Sequence, residues 1–298
     1  MKRRTFINNS ALFAIAISTS GFIKFDGYTY IGDCETTTDI LGPFYRPNSP
    51  LRNNLSIIGE LGEPIELVGT INHNDCRTPY TNAKIELWHC DGKGVYDNIS
   101  PDYRYRGTAY SDLNGNYAFK TVLPVPYDIG DGTFRPAHFH LMISAAGYQP
   151  LVTQLYFVGD EYLDKDESSS SPSAKKRILN VEQLAGRSKK VAFDVNMSEN
   201  LSPESAAIDK LIGAYTDDKK LLKKEFFNKD NALWVKNELF GDYFNYLGDN
   251  TFTPPGVDSG RNLRYQFEIL SVNTTRLTIS ELDHNGNKQV QVLTKEKV

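Results

Sequence analysis

Residues 127–140 read YDIGDGTFRPAHFH and continue as the apolar run LMIS at 141–144. Successive side chains of a β-strand point to opposite faces, so this pattern predicts that His138 and His140 share one face and Phe139 the other. The Gly- and Asp-rich segment before them can fold back and bring Tyr127 toward the same point. Two imidazoles on one rigid element form half of a metal site, although a His-x-His pair alone is also typical of a half-exposed strand.

Short segments of alternating polarity surround this stretch. In AKIELWHC at 83–90, Ile85 and Leu87 fall on one face and Trp88 on the other. SDLNGNYAFKTV at 111–122 contains the Asn-Gly turn of a β-hairpin, and 55–71 reads as two short strands about a Gly-Glu-Pro turn. Strands this short, with turn signals this frequent, predict an all-β protein whose first domain, at 26–200, is a β-sandwich.

The composition changes after Asp160. Residues 164–176, DKDESSSSPSAKK, predict a mobile loop, and a short helix follows within LSPESAAIDKLIGAY. A second series of strands then begins: KKEFFN, ALWVKN, YFNYLG, YQFEIL, TRLTISEL and KQVQVLT. Polar turns such as NKDN and DHNGN separate these strands, so residues 205–298 are predicted to form a small antiparallel β domain, in which we find no catalytic motif.

The N-terminus and the composition indicate where the protein works. Residues 1–25 combine MKRR with the apolar run ALFAIAIS, which is typical of an export signal and too short for a stable membrane span. Arg3-Arg4 fits a twin-arginine signal, and a general secretory signal fits as well, so we expect an exported, periplasmic protein. The net charge of -4 and the lack of a long basic run argue against a nucleic-acid partner. Cys34, Cys76 and Cys90 predict one disulfide and one free thiol, with the pairing left open.

Five segments together carry a family resemblance. They are LGPFY at 41–45, GEPIELVGTI at 62–71, NAKIELWHCDGKGVY at 82–96, SDLNGNYAFKTVLPVPY at 111–127 and RPAHFHLMISAAGYQPLVTQLYFVGD at 135–160. Through residues 38–160 the chain resembles the intradiol ring-cleavage dioxygenases, non-haem ferric enzymes that open catechols between their two hydroxyls. The family pattern is a Trp-bearing strand with a Tyr eight residues on, then Pro-x-Pro-Tyr, then Arg-Pro-Ala-His-x-His.

The resemblance implies that Tyr96, Tyr127, His138 and His140 bind Fe(3+). Phenolate oxygens suit this hard cation, because they neutralise part of its charge while imidazoles complete the site. By the same resemblance, Tyr127 leaves the metal when substrate binds and takes a substrate proton, and Arg135 stabilises the charge that develops on the ring. The substrates implied are a small aromatic diol and dioxygen, and the product is a cis,cis-muconate-type diacid.

The resemblance also implies a pocket and some departures from the family. Tyr45, Trp88 and Gln154 are expected to line the substrate pocket. The acidic segment 128–134 offers no cation for a carboxylated catechol. The lack of an N-terminal helical domain suggests the protocatechuate branch, and family members often form homo-oligomers.

Two alternatives to a ferric dioxygenase stay open at this point. A non-catalytic, exported β-sandwich binding module could retain the fold, but it would not need two tyrosines and two histidines in register. A zinc or copper site that uses only His138 and His140 would make the tyrosines dispensable.

Overall fold

The computed structural model describes residues 24–25, 30–31, 34–130, 132–186, 188–198, 203, 205–238, 240–254, 263–271, 274–283 and 286–295. Apart from the backbone of 24–25, the predicted export signal lies outside the described residues, as do Asp131 and His284. Within the described ranges, no helix has the length and apolar character needed to cross a membrane.

Up to residue 198, the described residues contain fourteen strands and one 3-10 helix, Pro172–Arg177. The strands are β1 Lys24–Phe25, β2 Tyr30–Ile31, β3 Pro64–Asn72, β4 Lys84–Trp88, β5 Arg106–Tyr110, β6 Asn116–Val122, β7 Tyr127–Asp128, β8 Phe134–Arg135, β9 His138–Ser144, β10 Leu151–Phe157, β11 Ile178–Leu179, β12 Glu182–Gln183, β13 Lys189–Ala192 and β14 Val195–Asn196.

Two five-stranded sheets form the predicted β-sandwich. One sheet has the order β11-β10-β9-β4-β5, and the other has the order β12-β13-β3-β14 with β6 paired to β3. Fully buried side chains from both sheets, such as Leu67, Phe119, Ile85 and Leu141, join in one hydrophobic cluster. Burying each such side chain contributes roughly 1.5–3 kcal/mol, so this shared cluster holds the two sheets together.

The outer face of the first sheet carries the residues that the sequence singles out. Along β9, Phe139 and Leu141 enter the sandwich core, so His138 and His140 project from the opposite face, as predicted. The register places Trp88 of β4 and Gln154 of β10 on either side of His140. Cross-strand neighbours on one face lie within contact distance, so these three side chains form one row.

The described residues between 205 and 295 form one helix and one larger sheet. The sheet contains the six predicted strands, one of which (YFNYLG) is divided into two at Phe244, and two further strands at 213–216 and 251–253. The elements are α1 Ser205–Leu211, β15 Gly213–Thr216, β16 Lys223–Lys229, β17 Ala232–Val235, β18 Asp242–Tyr243, β19 Asn245–Gly248, β20 Thr251–Thr253, β21 Arg264–Ser271, β22 Thr274–Leu282 and β23 Lys288–Lys295. The nine-stranded sheet has the order β18-β17-β16-β15-β23-β22-β21-β20-β19, and every pairing in it is antiparallel. Its edge strands β18 and β19 are separated only by Phe244, so the sheet curls back on itself around an aromatic core.

The turn at Asn114-Gly115 forms, but it does not make the predicted hairpin, because β5 and β6 belong to different sheets. Gly115 has φ of 74°, and a Cβ added there would lie 2.6 Å from the Ile71 carbonyl oxygen. Its own carbonyl accepts a hydrogen bond from Ile71 N at 2.8 Å. The turn therefore packs against β3, and the chain crosses from one sheet to the other.

Two other segments also differ from the prediction. In 55–71 only β3 is a strand, because residues 58–59 turn outward and Ile58 is fully exposed. The predicted mobile loop at 164–176 is instead a series of turns followed by the 3-10 helix, with Asp166 and Ser169 buried. Ser169 N donates to Asp166 Oδ2 at 2.9 Å, and short polar side chains that bond to nearby backbone in this way stabilise turns.

The cysteines form the predicted one disulfide and one free thiol. Cys34 is bonded to Cys76, and Cys90 is free and buried. The disulfide ties the N-terminal arm, residues 34–47, to the loop after β3. This arm lies over the outer face of the first sheet, where its Leu41 and Tyr45 are buried.

Candidate metal centre

Three donor atoms meet on the outer face of the first sheet. His138 Nε2 lies 3.1 Å from His140 Nε2, and Tyr96 Oη lies 3.3 Å from the first nitrogen and 3.1 Å from the second. Metal–ligand bonds of ~2.0–2.2 Å place neighbouring ligands of one ion roughly 3 Å apart. The spacing of these three atoms therefore matches one face of a metal coordination shell.

The turn after β4 places Tyr96 against the histidines. Asp91 Oδ1 accepts hydrogen bonds from the backbone N–H groups of Lys93 and Val95, at 2.8 and 2.9 Å. Phe44 of the N-terminal arm stacks on the Tyr96 ring with 4.4 Å between centroids. The backbone turn and the ring contact together fix the phenol oxygen beside the two imidazoles.

Both histidines are neutral in the folded protein. Burial, and to a lesser extent the Arg135 charge, lowers the pKa of His138 to about 3. Burial, and to a lesser extent the neighbouring His138, also holds the pKa of His140 well below its usual value. His138 Nδ1 donates to the Pro136 carbonyl oxygen at 2.6 Å, which leaves a lone pair on its Nε2. His140 Nδ1 is buried and has no hydrogen-bond partner among the described residues.

The donor set fits a hard cation. Burial, and to a lesser extent the neighbouring Tyr127, raises the pKa of Tyr96 well above its usual value. The phenolate of Tyr96 therefore costs free energy unless a positive charge lies beside it. A metal ion supplies that charge and accepts the imidazole lone pairs. Among the described residues, no group of three His, Cys, Asp or Glu side chains could hold a metal ion, so the tyrosines are needed to complete this set.

Tyr127 borders the same point but is held less tightly. It pairs with Arg135 across the two-stranded ribbon of β7 and β8, and its ring lies 5.5 Å from Tyr96 and 5.7 Å from His138 between centroids. It is partly exposed, whereas Tyr96, His138 and His140 are buried. Burial raises the pKa of Tyr127, and the Arg135 charge opposes that rise.

Arg135 is buried within a polar network behind the tyrosines. Its Nη2 donates to Gln154 Oε1 at 2.9 Å, and its Nε lies 2.6 Å from Asp166 Oδ1. Gln154 Nε2 in turn donates to the Ile40 carbonyl oxygen at 2.7 Å. Burial alone would lower the pKa of Arg135, but Tyr156 and Asp166 outweigh it and raise the pKa, so the guanidinium keeps its charge.

Sequence reasoning missed three buried charges in this network, Asp39, Asp166 and Arg177. Arg177 pairs with Asp39 and donates to the Gln154 carbonyl oxygen at 2.8 Å, and the Tyr156 hydroxyl lies 2.9 Å from Asp39 Oδ2. No local pattern marks these residues, because 138 positions separate Asp39 from Arg177.

The predicted pocket residues Tyr45 and Trp88 are buried behind His140. Trp88 lies parallel to the His140 ring, at 4.9 Å between centroids and 8° between planes, and Tyr45 packs edge-on against Trp88 at 5.1 Å. A cavity of about 640 Å³ lies farther out, between the sandwich and the C-terminal sheet. Its lining includes Glu86 and Phe240 but none of the four predicted metal ligands.

The two remaining described histidines have structural contacts. His73 Nδ1 lies 2.8 Å from the Tyr148 hydroxyl. His89 is buried between the Cys90 carbonyl oxygen and Thr121 Oγ1, each 2.7 Å from a ring nitrogen.

Comparisons with known proteins show which proteins this chain is similar to. The family model described as Dioxygenase matches residues 40–199. A chlorocatechol 1,2-dioxygenase of Rhodococcus opacus is 35% identical over 161 residues, which cover 46% of this chain and 62% of the relative. A catechol 1,2-dioxygenase of Candida albicans is 30% identical over 196 residues, which cover 57% of this chain and 64% of the relative. The match thus spans less than two thirds of either relative.

A solved structure shows the same fold. The 3-chlorocatechol 1,2-dioxygenase of Rhodococcus opacus 1CP superposes on 56% of this chain and 74% of its own, with a TM-score of 0.51 and 24% identity. None of these three proteins is named a protocatechuate dioxygenase, so they give no support to the suggested relation to that branch.

Proposed function

The chain belongs to the family of intradiol ring-cleavage dioxygenases, and we propose that it cleaves a catechol-type aromatic diol with dioxygen at a ferric site. The observation that carries this proposal is the meeting of Tyr96 Oη, His138 Nε2 and His140 Nε2 within 3.3 Å of one another on one sheet face. A binding module would have no use for a buried phenol beside two neutral imidazoles, because burying them costs free energy.

Tyr96, Tyr127, His138 and His140 would hold the ion. Ferric iron bound there would bring both oxygens of the diol to one point and activate the ring toward dioxygen. Tyr127 is the one of the four that is partly exposed, and it lies on a short ribbon rather than on a central strand. It is therefore the ligand best placed to yield to the substrate, with its phenol oxygen taking a proton from one substrate hydroxyl.

Arg135 would stabilise the negative charge on the substrate. Arg135 is the cross-strand partner of Tyr127, and Gln154 and Asp166 hold its guanidinium in place. The guanidinium therefore need not reorganise when negative charge develops on the substrate. In the overall reaction, the bond between the two hydroxyl-bearing carbons breaks and the O–O bond breaks. Each of these carbons gains one oxygen atom, and the product is a cis,cis-muconate-type diacid.

The segment between Tyr127 and Arg135 indicates the charge of the substrate. Residues 128–134, DIGDGTF, contain no Lys, Arg or His, and Asp128 is exposed at the edge of the site. A carboxylate on the ring would meet like charge there, so we expect catechols without a carboxylate to react faster.

Residues 1–25 support an exported, periplasmic location. A Cys34–Cys76 disulfide suits an oxidising compartment. Replacing Arg3 and Arg4 by Lys and fractionating the cells tests the export route, because a twin-arginine signal loses export while a general secretory signal keeps it.

The decisive experiment uses the mature chain loaded with iron. An absorption band from phenolate to iron should appear, and it should shift when catechol is added without oxygen. Admission of isotopically labelled dioxygen should then give a diacid that carries both labelled atoms. An iron-loaded chain that consumes no oxygen with catechol, chlorocatechol or a carboxylated catechol would refute the proposal, as would cleavage beside the diol instead of within it.

A further inference from the structure

The C-terminal sheet shares a hydrophobic cluster with the candidate metal centre. We call it the shared aromatic cluster; its buried members are Leu41, Tyr45, Trp88, Cys90, Tyr96, Met142, Val152, Ala232, Trp234 and Tyr243. The last three belong to β17 and β18, whereas Tyr96 is a proposed metal ligand. In a close-packed cluster, a shift of one side chain displaces its neighbours. The packing of the C-terminal sheet therefore affects the side chains of the candidate metal centre.

A direct series of ring contacts runs from the C-terminal sheet to a histidine. Trp234 lies 5.6 Å from Tyr45, Tyr45 lies 5.1 Å from Trp88, and Trp88 lies 4.9 Å from His140, all between ring centroids. Each of the four side chains is at most 3% exposed. These separations are those of favourable aromatic pairs, so each ring limits the movement of the next.

Charged groups from both parts of the chain hold the middle of this series. Lys229 of β16 lies over the rings of Tyr45 and Trp234, at 5.3 and 5.0 Å from their centroids. Asp230 bridges Lys229 and Lys84 of β4, at 2.9 and 3.0 Å. Lys84 pairs with Glu86 at 3.2 Å, and Glu86 Oε1 accepts the hydrogen bond of the Tyr45 hydroxyl.

His140 depends on packing for its orientation more than His138 does. A metal-binding histidine usually donates its second ring N–H to a fixed acceptor, and His138 does so at Pro136. His140 Nδ1 has no such acceptor among the described residues. Its ring is held instead between Trp88 and Gly42, where an added Cβ would lie 3.1 Å from His140 Cε1.

We propose that Trp234 positions His140 through Tyr45 and Trp88, so that the C-terminal sheet completes the metal centre of the sandwich. This inference rests on the proposed function, because it assigns the sheet to the same iron site. Residues that orient a metal ligand from behind typically change metal affinity or activity by about 10- to 100-fold when replaced. Trp234→Leu should therefore release iron to a chelator at least about tenfold faster than the wild-type chain.

The test compares full-length, iron-loaded variants. Trp234→Phe keeps a ring against Tyr45 and should restore most of the wild-type release rate and the phenolate-to-iron absorption band. Phe252→Leu is the matched control, because Phe252 is 1% exposed in the same sheet but belongs to the separate core that contains Tyr215 and Phe267. It should release iron at the wild-type rate even where it lowers the melting temperature.

A second variant makes the test independent of the folding of Trp234→Leu. Tyr45→Leu interrupts the same contacts from the sandwich side, and it should release iron as fast as Trp234→Leu. The double variant should be no faster than either single one, because both cut the same series.

The outcomes separate the two proposals. Equal iron release from the wild type, Tyr45→Leu and the Trp234 variants, with binding intact, would overturn the positioning role and leave the proposed function standing. A wild-type chain that binds no iron would overturn both.

Discussion

Removing the carboxylate of Asp166 should destabilise the protein and weaken catalysis together. Asp166 and Arg135 pair at 2.6 Å, and their side chains are only 8% and 9% exposed. Breaking a buried ion pair by removing one partner costs about 3–5 kcal/mol, because the other charge is left in a low dielectric. Arg135 keeps its hydrogen bond to Gln154, so we expect the lower end of that range, about 3 kcal/mol, for Asp166→Ala. Asp166→Asn keeps an acceptor for Arg135 and should cost about 1.5–3 kcal/mol.

Urea denaturation of the wild type and both variants measures these differences. Asp164→Ala is the matched control, since Asp164 is exposed in the same segment, and it should lie within about 0.5 kcal/mol of the wild type. In steady-state assays with catechol, Asp166→Ala should lower kcat/KM about tenfold or more through the displaced guanidinium, while iron content stays unchanged. Stability and kcat/KM of Asp166→Ala that both match Asp164→Ala would refute the reasoning.

Three further predictions follow from other parts of the molecule. Tyr127→Phe should lower kcat by at least about 100-fold and leave the fold intact, because the substrate proton loses its acceptor; rapid turnover would contradict the assignment. Burial lowers the pKa of His89 to about 4, so its neutral form stabilises the fold fully above pH ~6.5 and less as the pH falls toward 4. Lowering the pH from 7 to 4.5 should therefore reduce the free energy of unfolding by about 2–3 kcal/mol through His89. Urea titrations at the two pH values should show that this part of the pH dependence is absent in His89→Gln. Reduction of Cys34–Cys76, which closes a loop of 42 residues, should lower the free energy of unfolding by about 4 kcal/mol, whereas the Cys34→Ser/Cys76→Ser double variant should not respond to reductant.

Local pattern predicted most of the strands. Side-chain alternation placed His138 and His140 on one face and Ile85 and Leu87 on the side opposite Trp88, because a strand has a period of two residues wherever it lies. Polar turns predicted six strand segments in the C-terminal sheet, because the formation of a turn depends on its own few residues. The Asn114-Gly115 prediction failed where the partner strand mattered, because β6 pairs with β3 across the sandwich and not with β5.

Family resemblance singled out Tyr96, Tyr127, Arg135, His138 and His140, and the structure brings these residues together. It could not show what supports them. Asp166 lies in a Ser-rich segment that reads as a loop, and composition does not reveal that the segment is packed against Arg135. The cysteine pairing likewise depended on which loops the fold brought together.

The sequence by itself determined most of the strands, their buried faces and the donor atoms available for a metal, because each depends on neighbouring residues. Only the tertiary structure decided that Trp234 lies three ring contacts from His140, and that Asp39 and Arg177 meet beneath Gln154. The physical reason is distance along the chain. Contacts between residues about 100 or more positions apart form only when the sheets pack, and no period or turn records which side chains will then be neighbours.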